Sequence, residues 1–86
     1  MKQFVSILGS TGSIGMTTLK IIDKKKNFFK INLLSANKNY SLIYKQIKKY
    51  NPKFFIITDK SIFIKIKKKF KNKNIKILNN FDNLKN

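Results

Sequence analysis

Ile7-Leu8-Gly9-Ser10-Thr11-Gly12-Ser13-Ile14-Gly15 is the stretch on which the fold turns. Before it, Gln3 to Leu8 is a short apolar run with β-branched and aromatic residues, closed by Gly9, and reads as a buried strand. After it, from about Ser13 to Lys25, the period changes. Leu19 and Ile22 lie three apart and Thr18 and Ile22 four apart, on one side of a helix. Lys24, Lys25 and Lys26 end that segment, where cations favour a helix C-terminus. Strand, glycine-spaced turn and helix, in that order, are the context in which Gly-x-x-Gly-x-x-Gly acts as a phosphate loop. The first glycine allows a tight turn, the second lets backbone approach a pyrophosphate, and the third lets the helix pack close to the strand. Free amides at the helix start point at the anion, and the helix dipole favours it. Ser10, Thr11 and Ser13 read as additional hydroxyl donors. Gly9, Gly12 and Gly15 are the only glycines in the chain, and turn-forming glycines without a ligand are the plain alternative.

The rest of the chain repeats the alternation. Phe29 to Ala36, with Ile31, Leu33 and Leu34, reads as a second strand. Ser41 is placed to cap a helix over Leu42 to Tyr50, whose apolar face is Ile43, Ile47 and Tyr50. Asn51-Pro52 stops it, because Pro disfavours a helical residue before it. Lys53 to Thr58 is a third strand. Asp59 or Ser61 opens a third helix running to about Phe70; Phe63, Ile66 and Phe70 fit a helix, although Ile62, Ile64 and Ile66 also alternate like a strand. Ile75 to Leu78 is a short fourth strand, followed by polar Asn79 to Asn86. Continuous apolar strands alternating with amphipathic helices predict an α/β fold with a parallel sheet covered on both faces. The expected architecture is a Rossmann-like doubly wound sheet, incomplete at about four strands and three helices. The usual strand order, 3-2-1-4, would leave the fourth strand as an exposed edge. A core of this size offers only about 3–5 kcal/mol, so marginal folding is expected.

A second signal sits at the end of the second strand. An acid there, about 20 residues past the loop, would accept hydrogen bonds from the ribose 2′-hydroxyl of NAD. Ser35-Ala36-Asn37-Lys38-Asn39 holds no acid, and Lys38 would attract the 2′-phosphate that a carboxylate would repel. The stretch therefore favours NADP(H) over NAD(H), against the plain reading of Lys38 as one more surface lysine.

Composition excludes a good deal. The 86 residues hold no His, no Cys and no Trp, and the only acids are Asp23, Asp59 and Asp82. A zinc site, a thiol nucleophile, a disulfide and a His base are ruled out, and a paired-carboxylate site or carboxylate metal cage is not expected. No apolar run is long enough to span a bilayer, the N-terminus lacks the form of a secretory leader, and the expected setting is cytoplasmic. The formal charge of +17 comes from 20 lysines and no arginine. Lys, Asn, Ile and Phe together make 53 of the 86 residues, and all four have codons rich in A and T, so coding bias accounts for the charge. The competing reading is a lysine-driven, sequence-blind nucleic-acid module with interleaved Tyr40, Tyr44, Tyr50 and Phe70. The absence of Arg, the commonest reader of guanine, speaks against it.

The loop, followed by Thr18-Leu19 and Ile21-Ile22, resembles the opening of 1-deoxy-D-xylulose 5-phosphate reductoisomerases. Ala36-x-Lys38-Asn39 is similar to that family's second cofactor segment, usually Ala-Gly-Lys-Asn, and Tyr50-Asn51-Pro52-Lys53 is similar as well. The resemblance implies an NADPH-dependent oxidoreductase of the non-mevalonate isoprenoid pathway. It converts 1-deoxy-D-xylulose 5-phosphate to 2-C-methyl-D-erythritol 4-phosphate, needs Mg²⁺ or Mn²⁺ and is typically a homodimer. By position, Thr11, Gly12, Ser13 and Ile14 would hold the pyrophosphate side of NADPH, and Asn37, Lys38 and Asn39 the ribose with its 2′-phosphate. Asn37 stands where the family usually has Gly; if φ is positive there, Asn is the least costly substitute. Family members are several times longer. Residues 1–86 are thus expected to be the N-terminal portion of the NADP-binding domain, with catalytic and metal residues and C-terminal domains absent, and to be inactive alone. Another NADP-dependent reductase, such as an aspartate semialdehyde dehydrogenase, is the alternative, although those usually carry an Ala-Thr-Gly loop core.

Overall fold

The computed structural model describes residues 2–82. Strand and helix alternate as β1 (Gln3–Ile7), α1 (Ser13–Lys24), β2 (Phe29–Ala36), α2 (Tyr40–Tyr50), β3 (Phe54–Ile57), α3 (Lys60–Lys69) and β4 (Lys76–Leu78). All three strand pairings are parallel. The fold is α/β and Rossmann-like, with four strands and three helices as the periodicity predicts. The ambiguous third segment is helical, with Ile66 and Phe70 buried and Ile64 left exposed.

The strand order is β1-β2-β3-β4, not 3-2-1-4. Each crossover steps the same way across the sheet, and right-handed crossovers that step the same way leave their helices on the same face. The packing agrees. Leu19 and Ile22 of α1, Ile43 and Ile47 of α2, and Ile66 of α3 share one core cluster with a single set of strand residues. Ile7, Leu34, Phe55 and Ile77 form one row of that set, matched in register across all four strands. Among the described residues, helices therefore cover one face rather than both, and the open edges are β1 and β4. Phe4 and Leu8, in and just after β1, are exposed.

One extra residue adjusts β2. Val5 pairs with Ile31 but Ser6 pairs with Leu33, so Asn32 is a bulge. The bulge shifts the alternation by one, so that Ile31 and Leu34, three apart, both reach the helix side. Leu33 instead stands opposite Ser6 and Phe54. The helix ends are set locally. Asn51 adopts a left-handed conformation (φ 45°) and returns its N–H to the Ile47 carbonyl at 2.9 Å, and the buried Pro52 follows. α2 starts two residues earlier than expected: Asn39, not Ser41, is its cap, accepting from the Leu42 amide at 3.3 Å. Asp59 caps α3, accepting from the Ile62 amide at 3.0 Å. Asn83 to Asn86, part of the polar stretch after the fourth strand, lie outside the described residues.

Candidate functional site

The glycine loop leaves the carboxyl end of β1 and turns into α1. Gly9 has φ +70°, a conformation open to glycine and strained for other residues. Gly15 is fixed by packing: a Cβ there would stand 2.3 Å from the Gly9 carbonyl oxygen and 2.8 Å from the Ser10 Cα. Gly12 differs from both. Its φ is ordinary, and a Cβ would meet only the Gly9 oxygen, at 3.5 Å. The fold can accept a side chain at Gly12; space in front of the helix is what it would occupy.

That space is where α1 begins. Gly12 is the N-cap, there is no side-chain cap, and no acid lies in the first turn. Among the described residues, the amides of Ser13, Ile14 and Gly15 have no hydrogen-bond acceptor, as the geometry of a helix start dictates. Thr11 is half-buried, and Gly12, Ser13 and Ile14 are exposed, Ile14 at 83%. An open hollow of about 570 Å³ lies against the loop, bordered by Gly9, Gly12, Ser13, Ile14 and Thr18 and by β1. Three orphan amides lie at the positive end of a helix dipole, those of Ser13 and Ile14 on exposed residues and that of the buried Gly15 behind them, an arrangement that can cradle an oxyanion.

Ser10 does not join them. It is fully buried, and its hydroxyl donates to Gln46 Oε1 at 2.6 Å. The expected role for Ser10 as an anion donor is corrected accordingly. Its amide donates to the Ser35 carbonyl at 2.7 Å, while the Gly9 amide donates to the Ser35 hydroxyl at 3.1 Å. Ser35 is thus a strut between β2 and the loop. Neither Gln46 nor Ser35 was picked out as a site residue from sequence. Gln46 was visible as the polar member of the stripe Ile43, Gln46, Ile47, Tyr50, a spacing that points one face inward.

These links bring the ends of β1 and β2 side by side, so the second segment stands next to the loop. Asn37, Lys38 and Asn39 are all exposed at the carboxyl edge of the sheet. Asn37 Oδ1 accepts from the Thr58 hydroxyl at 2.9 Å, and its carbonyl from the Asp59 amide at 3.1 Å. Its φ is not positive, so Asn stands there without backbone strain. Asn39 spends its oxygen on the α2 cap. Among the described residues the ion pair within 4 Å is that of Lys49 and Asp23, at 2.9 Å, and Lys38 has none. The Asp59 carboxyl lies below its ordinary value, chiefly because the Ile62 amide and then the Ser61 hydroxyl donate to it, with a smaller contribution from the nearby Lys38 charge.

A family model described as 1-deoxy-D-xylulose 5-phosphate reductoisomerase matches residues 5–85. The chain belongs to the 1-deoxy-D-xylulose 5-phosphate reductoisomerase family. It is 49% identical over 80 residues to the reductoisomerase of Pelagibacter ubique, across 93% of this chain and 21% of that protein. The chain therefore spans about a fifth of the length of the curated relatives it matches. Among solved structures it is similar to the reductoisomerase of Zymomonas mobilis in complex with NADPH. The TM-score is 0.82 at 28% identity, over 91% of this chain and 21% of that one. It is also similar to a reductoisomerase in complex with NADPH, fosmidomycin and magnesium, with a TM-score of 0.85 at 25% identity, over 95% and 20%.

Among the described residues of this member of the reductoisomerase family, no group of three His, Cys, Asp or Glu could hold a metal ion. The four aromatics named for a nucleic-acid module differ in exposure. Phe70 is buried in the core, Tyr44 and Tyr50 are half-buried, and the Lys48 and Lys69 ammonium groups lie over the Tyr44 ring at 5.9 and 5.8 Å. Tyr40 is exposed, its ring stacked on that of Tyr44 with centroids 6.3 Å apart.

Proposed function

We propose that this chain is the NADPH-binding N-terminal portion of a 1-deoxy-D-xylulose 5-phosphate reductoisomerase, the enzyme that makes 2-C-methyl-D-erythritol 4-phosphate. The observation that carries the reading is the start of α1. An uncapped helix end, free of acids and of side-chain bulk at Gly12, opens at the same carboxyl edge of the sheet as the exposed Lys38.

The residues fit the cofactor. Ser13, Ile14 and Gly15 would offer amides to the pyrophosphate, with the Thr11 and Ser13 hydroxyls at hand. Lys38 would meet the 2′-phosphate, and the Asn37 side-chain amide, held by Thr58, would meet the ribose. NADPH supplies the hydride in this family's reaction; what these residues do is bind and orient its adenosine and pyrophosphate. Among the described residues no group of three His, Cys, Asp or Glu could hold a metal, and the chain by itself is expected to be inactive. The divalent metal, the sugar phosphate and a homodimeric partner belong, in this reading, to the longer family members. Among the described residues no helix is long and apolar enough to cross a membrane, and a cytoplasmic setting goes with the biosynthetic role.

Fluorescence titration with NADPH and NADH tests the proposal. The chain should prefer NADPH. Gly12→Val should fold, because its backbone is extended and the Cβ position is open, yet bind no NADPH. Lys38→Ala should lose about tenfold of the preference, the worth of a charged hydrogen bond. Normal NADPH binding by Gly12→Val would overturn the reading.

A further inference from the structure

We infer that Gln46 is a positioning residue for the phosphate loop, setting its shape before any anion arrives. The inference rests on the NADPH reading above for its ligand, but its geometry stands on its own. Gln46 is only 6% exposed, on the apolar stripe of α2, where a leucine would pack without needing a polar partner. A buried amide is costly unless both of its groups are satisfied. Both are satisfied by the same residue: Oε1 accepts from the Ser10 hydroxyl at 2.6 Å, and Nε2 donates to the Ser10 carbonyl at 2.8 Å.

Two bonds to a single residue fix its orientation as well as its position. With the Ser10 amide already on the Ser35 carbonyl, every polar group of Ser10 is committed to the protein. The neighbouring Gly9 amide is likewise held by the Ser35 hydroxyl. The chain before Thr11 is thus tied to β2 and α2, whereas the amides after Gly12 are left free. Gly15 packs on this tied segment, so α1 takes its direction from it. A loop fixed in this way spends less ordering entropy when it closes on a pyrophosphate. The α2 helix, 36 residues away in sequence, thereby enters the cofactor site without touching the cofactor.

Two readouts on Gln46→Leu separate this role from plain core packing. Amide hydrogen exchange at Gly9 and Ser10 should quicken at least tenfold while β2 and β3 keep their protection. NADPH affinity should fall about tenfold, while that for adenosine 2′-phosphate, which has no pyrophosphate, stays unchanged. Unaltered exchange at Gly9 and Ser10, or equal losses for both ligands, would overturn the inference. Ser10→Ala removes one bond of the two and covers the case in which Gln46→Leu does not fold. It should quicken loop exchange by a smaller factor, and loop exchange equal to wild type would count against the clamp. A wild-type chain that binds no NADPH defeats the cofactor assignment instead, and loop exchange then decides the case for Gln46.

Discussion

Helices α2 and α3 start on side chains that close over their own first turn, Asn39 and Asp59, whereas α1 starts on a residue with no side chain. All three leave the carboxyl edge of one sheet, and all three carry lysine in the last turn. The difference lies in what each does with its first amides. A side-chain cap satisfies part of them internally and gains a few tenths of a kcal/mol over a glycine cap such as that of α1. α1 forgoes that gain, and its amides stay available to an outside acceptor. The comparison teaches that binding capacity at a helix end is bought with local stability, which is why only one of three equivalent ends is left open.

The largest expected effect comes from breaking the packing that directs α1. Gly15→Ala drives a methyl group into the Gly9 carbonyl, and overpacking against backbone costs about 3 kcal/mol or more. In a domain with a total near 3–5 kcal/mol that leaves about 0–2 kcal/mol, so the far-ultraviolet circular dichroism should show a partly unfolded population at 25 °C and a sharply lowered melting temperature. A native-like spectrum would show that loop and helix are less tightly joined than the contact distances imply.

Gly12→Asp should turn α1 into a helix like the other two. The new carboxylate can accept from the freed amides and complements the dipole, for a gain of a few tenths of a kcal/mol and a melting temperature higher by about 2–3 °C. The same change should abolish NADPH binding, since the cap takes the donors and repels the pyrophosphate. A stabilised variant that still binds would break the link between the two properties.

Asp59→Ala should make α3 resemble α1 and lower the melting temperature by several degrees, with no effect on the loop. The smallest effect is its titration. The folded Asp59 carboxyl sits below the ordinary Asp value because the Ile62 amide and Ser61 hydroxyl stabilise its charged form. Its contribution is therefore complete above that ordinary value and is lost as pH falls through the lowered folded one. Thermal melts from neutral to acid pH should show the loss in the wild type and a flatter profile in Asp59→Asn.

The element order and the loop were legible because both are local. The change of period at Gly9 to Ser13 and the spacing of three glycines are read within fifteen residues. The strand order was not legible. Each strand-helix-strand unit is the same whichever way it steps, and nothing in Ile75 to Leu78 says which edge it joins. The Asn32 bulge escaped for a related reason, since it exists only in relation to β1. Ser10 was misjudged because a loop serine looks like a ligand donor until its partner, far along the chain, is known. Ser41 and Asn39 are both good caps two positions apart, and only the turn geometry chose between them.

The sequential strand order also bears on how the molecule is assembled. Gln3 pairs with Phe29, Leu33 with Phe54, and Phe54 with Lys76, so each pairing joins residues fewer than about thirty positions apart. The 3-2-1-4 order would have obliged the fourth strand to reach back to the first across most of the chain. Here every newly synthesised unit finds its neighbour just behind it, the loop-closure entropy stays small, and a chain emerging from the ribosome can build the sheet strand by strand in the order in which it is made.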